Sequence, residues 1–317
     1  MFKKALCVMV CLAGVALAGP LDKQQVPAGA KWLLHGDAEA LMASKVGQKI
    51  QEEAAKPGQA QVLDGLKATF GLDPLKDIKS VTVYGTQFGQ EKNVVLLRAK
   101  LDREKILNLL KMNPDYKEGK VGETTTYEWV DAAKGDKPAQ KKFGAFFGSD
   151  LAVMTTEAEL LKTALAVLEG KADSLAKSAP AGLAAETPKG AFLVIRVGEL
   201  PTVGAEKPEA ALFNKLACGQ AAVGEAEGKV FAEINIEART EQAAANLKKT
   251  GDGFLALLDL MMPEAGQSNP KIPPQFPALV KSAKVTQEGK TVKASATMPA
   301  EDLIAMLQWA QKQKKTE

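Results

Sequence analysis

The sequence predicts an α+β fold of two similar β-α-β-β-α-β-β-α modules, built on mainly antiparallel sheets with helices packed on one face. Three observations predict it. The hydrophobic period alternates along the chain between about two and about 3.6 residues. Strands come in pairs split by short turns such as the one at Gly228, the pattern of antiparallel hairpins. The order of elements in the first half of the chain then recurs in the second, although the halves share little identity. The predicted divisions are a signal peptide at 1–18, a first module at 19–170, a linker at 171–189 and a second module at 190–317.

The chain opens MFKKALCVMVCLAGVALAGP. Lys3 and Lys4 form a positive region, Ala5 to Val15 an apolar stretch, and Ala16-Leu17-Ala18 a small-residue cleavage site, the tripartite pattern of a secretory signal peptide. The apolar stretch is short for a membrane span and no stop-transfer segment follows. Gly19, not cysteine, comes after the cut, so no lipid anchor is expected. The sequence thus predicts an exported protein, periplasmic or extracellular, with no transmembrane segment in its mature form.

In the first module KWLLH at 31–35 is the opening strand. A helix is expected from Asp37, a good N-cap, to about Ala55. IKSVTVYG at 78–85 and NVVLLRAKL at 93–101 form a strand pair around the turn-like FGQEK. A helix starts at Asp102 and runs to about Met112. TTTYEWV at 124–130 is the next strand, KFGAFFG at 142–148 is read as continuing through LAVMTT, and EAELLKTALAVLEG is a helix. NVVLLRA is apolar at nearly every position and should be buried more deeply than a one-sided strand.

The stretch KADSLAKSAPAGLAAETPKG is rich in Ala, Pro, Gly and Ser and reads as the linker. In the second module GAFLVIRV at 190–197 is a strand and EKPEAALFNKLA at 206–217 a helix. CGQAAVGEA and KVFAEINIEAR pair across Gly228, and Thr240 caps the helix EQAAANLKKTGDGFLALLDLMM. After a proline-rich stretch, VKSAKVTQEG and KTVKASATM are strands, and AEDLIAMLQWAQKQKK a helix whose basic end suits its dipole. Along KVFAEINIEAR, Val230, Ala232, Ile234, Ile236 and Ala238 fall on one face, with Phe231, Glu233, Asn235, Glu237 and Arg239 on the other. That alternation predicts one dry face under helices and one open polar face.

Composition excludes several classes. Loss of Lys3 and Lys4 takes the formal net charge from +3 to +1, too balanced to attract nucleic acid or anionic lipid. Only Cys218 remains after the leader, so no internal disulfide can form. With one histidine and one cysteine, no metal site or cofactor is expected. His35 is read as a strand end, the His35–Asp37 pair as a local hydrogen bond or cap rather than a base and its orienter, and Cys218 as inert packing.

Ser174 to Lys177 and Lys249-Thr250-Gly251 match motifs of penicillin-interacting serine enzymes, but the first falls in the linker and the second in a helical pattern. Ser268 to Lys271 repeats the first motif in a proline-rich loop, which shows how cheaply it arises. Tyr127, Trp129, Phe143, Phe146 and Phe147 are read as core rather than a ligand box, with a shallow cleft lined by the Tyr and Trp as the alternative.

Val26-Pro27-Ala28, Trp32 to His35, Asp37, Ser44 to Gln48 and Leu72 to Gly85 make the chain resemble a set of uncharacterised exported bacterial α+β proteins of planctomycete type. The resemblance lies mainly in the first module. It implies export and an α+β fold and carries over no functional residue.

The expected function is a non-catalytic exported protein that binds a ligand or envelope partner. Its binding surface would be the open polar face, at Glu233, Asn235, Glu237 and Arg239, or the groove between modules. The alternatives are a carboxylate-dependent hydrolase acting on envelope polymers and a carrier of apolar cargo held between helices and sheet.

Overall fold

A computed structural model describes residues 19–88, 92–133, 138–202, 204, 210–262 and 272–313. The predicted signal peptide, the start of the helix predicted at 206–217, Ser268 to Lys271 and the last residues of the basic C-terminal stretch therefore lie outside the described residues.

Among the described residues the strands join one twelve-stranded antiparallel sheet. In chain order they are β1 (Trp32–Asp37), β2 (Ile78–Gly85), β3 (Asn93–Ala99), β4 (Lys117–Val121), β5 (Thr124–Asp131), β6 (Gln140–Phe147), β7 (Leu151–Thr155), β8 (Ala191–Val197), β9 (Leu216–Ala226), β10 (Lys229–Ala238), β11 (Lys284–Glu288) and β12 (Thr291–Pro299). The helices are α1 (Ala38–Ala43), α2 (Lys45–Ala54), α3 (Gln59–Phe70), α4 (Arg103–Lys111), α5 (Ala158–Leu168), α6 (Ala181–Ala184), α7 (Ala210–Phe213), α8 (Glu241–Leu260), α9 (Phe276–Ser282) and α10 (Ala300–Gln313).

The spatial order is β11-β12-β10-β9-β8-β1-β2-β3-β7-β6-β5-β4. At the centre β1 pairs antiparallel with β8, and this seam joins the two halves. Outward from it one direction reads β1-β2-β3-β7-β6 and the other β8-β9-β10-β12-β11, with the β4–β5 hairpin added at one end.

Several elements differ from expectation. The helix predicted from Asp37 breaks at Ser44, whose hydroxyl caps both pieces, donating to Leu41 O and accepting from Gly47 N. Gly47 is needed there because a Cβ would meet Leu41 O at 1.9 Å. LAVMTT does not continue β6. Gly148, at φ +59°, turns the chain back, and β7 pairs with β6 as a hairpin. VKSAKVTQEG is not one strand either. Pro277 sits in the first turn of α9, where its missing N–H costs nothing, and the strand begins only at Lys284. α3 and β4 were not anticipated.

The helices of the second half itself cover one of its faces, which is the predicted arrangement, while the short α6 of the 171–189 stretch lies on the other face against β8 and β9. On the covered face α8 packs Ala244 and Leu247 on Ala238, Val292 and Val285, while α10 and α2 close over Val230 and Val223. The first half carries layers on both faces. On one, Leu161, Ala164 and Leu165 of α5 pack on Val94, Leu96, Ala145 and Val153. On the other, α1 packs with Val81, Val83, Val95 and Leu97, and α3 packs Leu66 and Phe70 with Leu97 and Ala99. This two-sided cover is what the unbroken apolar run in β3 requires.

The stretch 171–189 lies as a strap over the α5 side of the sheet. Leu175 N donates to Val26 O at 2.8 Å and Ala28 N to Asp173 O at 2.9 Å, and Leu183 is fully buried. Gly182 lies so close to the sheet that a Cβ would meet Val197 O at 2.2 Å.

Candidate binding surface

The strand registers align two rows of side chains, one on each face of the second half. On the strap side the row runs Tyr84, Leu33, Arg196, Gln220, Asn235, Lys293, Thr286. It begins buried and apolar and ends polar and partly open. Arg196 is fully buried, its Nε donating to Gln220 Oε1 at 2.7 Å and its Nη2 to Thr187 Oγ1 at 2.9 Å. Burial lowers its pKa to about 10, so the guanidinium stays charged at neutral pH.

The four residues predicted as a polar binding face are found at the end of this side. Glu233, Asn235 and Glu237 are half-buried on one face of β10. Glu233 pairs with Lys293 at 2.9 Å, and Glu237 accepts from the Cys218 thiol at 3.4 Å. Arg239 stands past the register shift after Glu237 and donates to Leu200 O at 3.0 Å. The structure thus brings the first three onto one strand face and sends the fourth to the strand's end.

The opposite face carries a row that no motif marked. It runs Val95, Val83, Leu34, Ile195, Ala221, Ile234, Ala294, Val285, apolar at every step across eight strands. The helices stand at the ends of this row and leave its middle bare. Ile195 is 41% and Ile234 47% exposed, although both belong to interior strands. The predicted dry face is therefore dry only where α8, α10 and α2 reach it. Alternation in β10 places Ile234 on this face, but nothing local to the sequence fixes how far the helices extend over it. Nearby elements also show apolar side chains to solvent, among them Phe254, Leu257, Leu260 and Met261 at the end of α8.

Side chains considered for catalysis are occupied otherwise. His35 is buried in β1, with Nδ1 2.9 Å from Thr82 Oγ1 and Nε2 2.9 Å from Gly19 O. A carbonyl can only accept, so Nε2 carries the proton and Nδ1 accepts from the hydroxyl. Burial lowers the His35 pKa to about 4, leaving the ring neutral. Asp37 caps α1 through Ala40 N at 2.8 Å.

Burial also pushes the Cys218 thiol up to about 11, which suits packing rather than attack. Lys177 pairs with Asp173 at 2.7 Å and Thr250 donates to Asn246 O inside α8, so neither serine-enzyme motif is assembled. Tyr127 meets the Phe146 edge at 5.8 Å, and together with Arg103 and Leu107 they line a shallow cleft rather than a closed core. No group of metal-ligating side chains occurs among the described residues, and no described helix is long and apolar enough to cross a membrane.

No family model matches the chain, and no curated protein matches it. Among solved structures it is similar to TP0453 in crystal forms III, I and IV, with 10%, 12% and 9% identity and TM-scores of 0.43, 0.41 and 0.43. Those alignments cover 91–92% of this chain and 97–99% of TP0453. The likeness says nothing of planctomycete proteins in particular.

Proposed function

We propose that this is a non-catalytic exported protein that binds an elongated apolar ligand along Leu34, Ile195, Ala221 and Ile234, on the sheet face that runs outward from the seam between the two halves. The bare middle of the apolar row carries this reading. Water against Ile195 and Ile234 costs free energy that a ligand would recover at roughly 25 cal/mol per Å² of apolar surface covered. From β1 to β12 the row crosses five strands, about 19 Å at the usual strand spacing, which suits an extended chain lying across the sheet. Supporting the non-catalytic part, the one histidine is neutral and bound on both nitrogens, and the one mature cysteine is buried. The like order of strands on either side of the seam is consistent with an internal duplication.

The test is fluorescence of anilinonaphthalene sulfonate with the mature protein, displaced by a long-chain fatty acid. Ile195→Ser with Ile234→Ser should abolish the displaceable signal in a protein that keeps its circular dichroism. A full signal in that folded variant would rule this face out.

A second reading places an envelope partner on the other face, at Glu233, Asn235, Glu237 and Arg239. The observation favouring it is that the helices of the second half gather on the opposite side, leaving these residues part-exposed. Alanine at all four positions would then remove capture of that partner from envelope extract while leaving fatty-acid displacement intact.

A further inference from the structure

The one feature that draws together His35, Asp37 and the predicted leader is Gly19. Its backbone nitrogen lies 2.9 Å from Asp37 Oδ1, and its carbonyl oxygen lies 2.9 Å from His35 Nε2. Two side chains from β1 therefore grip the two polar atoms of a single residue. That residue is the one the sequence places immediately after the Ala16-Leu17-Ala18 cleavage site.

We infer that His35 and Asp37 form a receptor for the amino terminus released when the leader is removed, so that maturation locks the first residue onto the sheet. Hydrolysis of the Ala18–Gly19 peptide bond adds one water. The hydroxyl goes to the Ala18 carbonyl carbon, which leaves as a carboxylate. The Gly19 nitrogen takes the protons and becomes an ammonium at neutral pH. A neutral amide N–H facing Asp37 is thereby replaced by a cation, and an ordinary hydrogen bond becomes a charge-assisted one.

The surroundings suit a cation. Asp37 forms no ion pair with a lysine or arginine among the described residues, and burial holds its carboxyl above the usual carboxylate range. An ammonium at 2.9 Å supplies the missing counter-charge. His35 holds the Gly19 carbonyl in a fixed place because its own ring is fixed by Thr82. The other charged group in its surroundings is the Arg196 guanidinium, which acts on His35 to keep it neutral and so to keep Nε2–H a donor to a carbonyl rather than a second cation beside the ammonium.

The experiment compares a chain beginning at Gly19, released from a fusion by a protease that leaves this residue first, with the same chain carrying one extra N-terminal alanine. Each is made with Asp37 and with Asp37→Asn, which keeps the helix cap because asparagine caps as well as aspartate. The extra alanine is expected to lower the unfolding temperature by a few degrees in the Asp37 chain and to change nothing in the Asp37→Asn chain. Acylation of the terminal amine by a small reagent at pH 7 should be at least tenfold slower than in a free peptide of sequence GPLDKQQV. Mass measurement of the exported protein should place its first residue at Gly19.

Equal stability with and without the alanine, an equal loss in both backgrounds, a freely reactive amine, or a different first residue would each overturn the assignment. If Asp37→Asn fails to fold, amine reactivity and the measured first residue still decide it.

Discussion

His35 is the residue whose environment is most completely specified. It is the only histidine in the chain, it is 3% exposed, and each ring nitrogen has one partner. Because burial lowers its pKa from 6.5 to about 4, the unfolded chain takes up a proton that the folded chain refuses. Stability should therefore fall as pH drops from about 6.5 towards 4, by up to about 3 kcal/mol. While Asp37 faces only the neutral Gly19 amide of the uncleaved chain, it works in the opposite sense at the acid end of that window, since its raised pKa makes the folded chain bind a proton earlier. His35→Gln removes the first effect alone and should flatten the pH dependence of the urea midpoint between pH 6.5 and 4.5. An unchanged slope would show that other groups set it. The sequence made the bland role of His35 legible, because a lone histidine at a strand end lacks the partners catalysis needs. It did not reveal Thr82 or Gly19 as its neighbours, since those contacts come from register and from the path of the N-terminal segment.

At the scale of single elements, the strap and β10 make contrasting predictions. Gly182 lies where a Cβ would sit 2.2 Å from Val197 O and 2.7 Å from Cys218 Cβ, both fixed parts of the sheet. Gly182→Val should lift α6 from β8 and β9 and cost about 1–3 kcal/mol, with faster amide exchange at Leu175 and Leu183. On β10, Ile234→Thr should change stability by less than about 1 kcal/mol, because the side chain is already half in water. Val94→Thr on β3, where the side chain is 1% exposed, should cost about 1–3 kcal/mol, because it sets a hydroxyl among Leu96, Val153 and Leu165. Urea melts of the two variants check this pair. Equal costs would mean that the floor of the second half is as dry as the core of the first.

Element boundaries were legible where the local signal was strong. β2 follows its predicted bounds, the helix expected to start at Asp102 begins one residue later with Asp102 as its cap, and Thr240 caps its helix as predicted. They were illegible where one apolar run serves two elements. In VKSAKVTQEG the apolar positions fit a strand, and only the packing of Val280 reveals the end of a helix.

Across the whole molecule the decisive contact is the β1–β8 seam. It makes one sheet of two halves, so neither half keeps its inner edge covered alone. A fragment of residues 19–189 would expose the β1 edge, with Leu33 and His35 no longer flanked by Arg196 and Val194. An uncovered interior strand of this kind pairs with other chains. The fragment should therefore self-associate in light scattering, and adding the 190–317 fragment should return it to a one-to-one pair. A monomeric, cooperatively folding 19–189 fragment would show that the seam is a docking contact between independent domains.

What the sequence determined by itself was local and periodic. Alternation sorted each strand's side chains onto two faces, caps and glycines marked most ends, and an unbroken apolar run marked β3 for burial on both sides. These follow from backbone geometry and from hydrophobicity within a few residues, so they are written where they act. What only the tertiary structure decided was which surfaces meet. It set β1 against β8, drew the strap over one face, stopped the helices short of Ile195 and Ile234, and brought Gly19 between His35 and Asp37. Those outcomes depend on registers and distances between segments far apart in the chain, which no local pattern encodes.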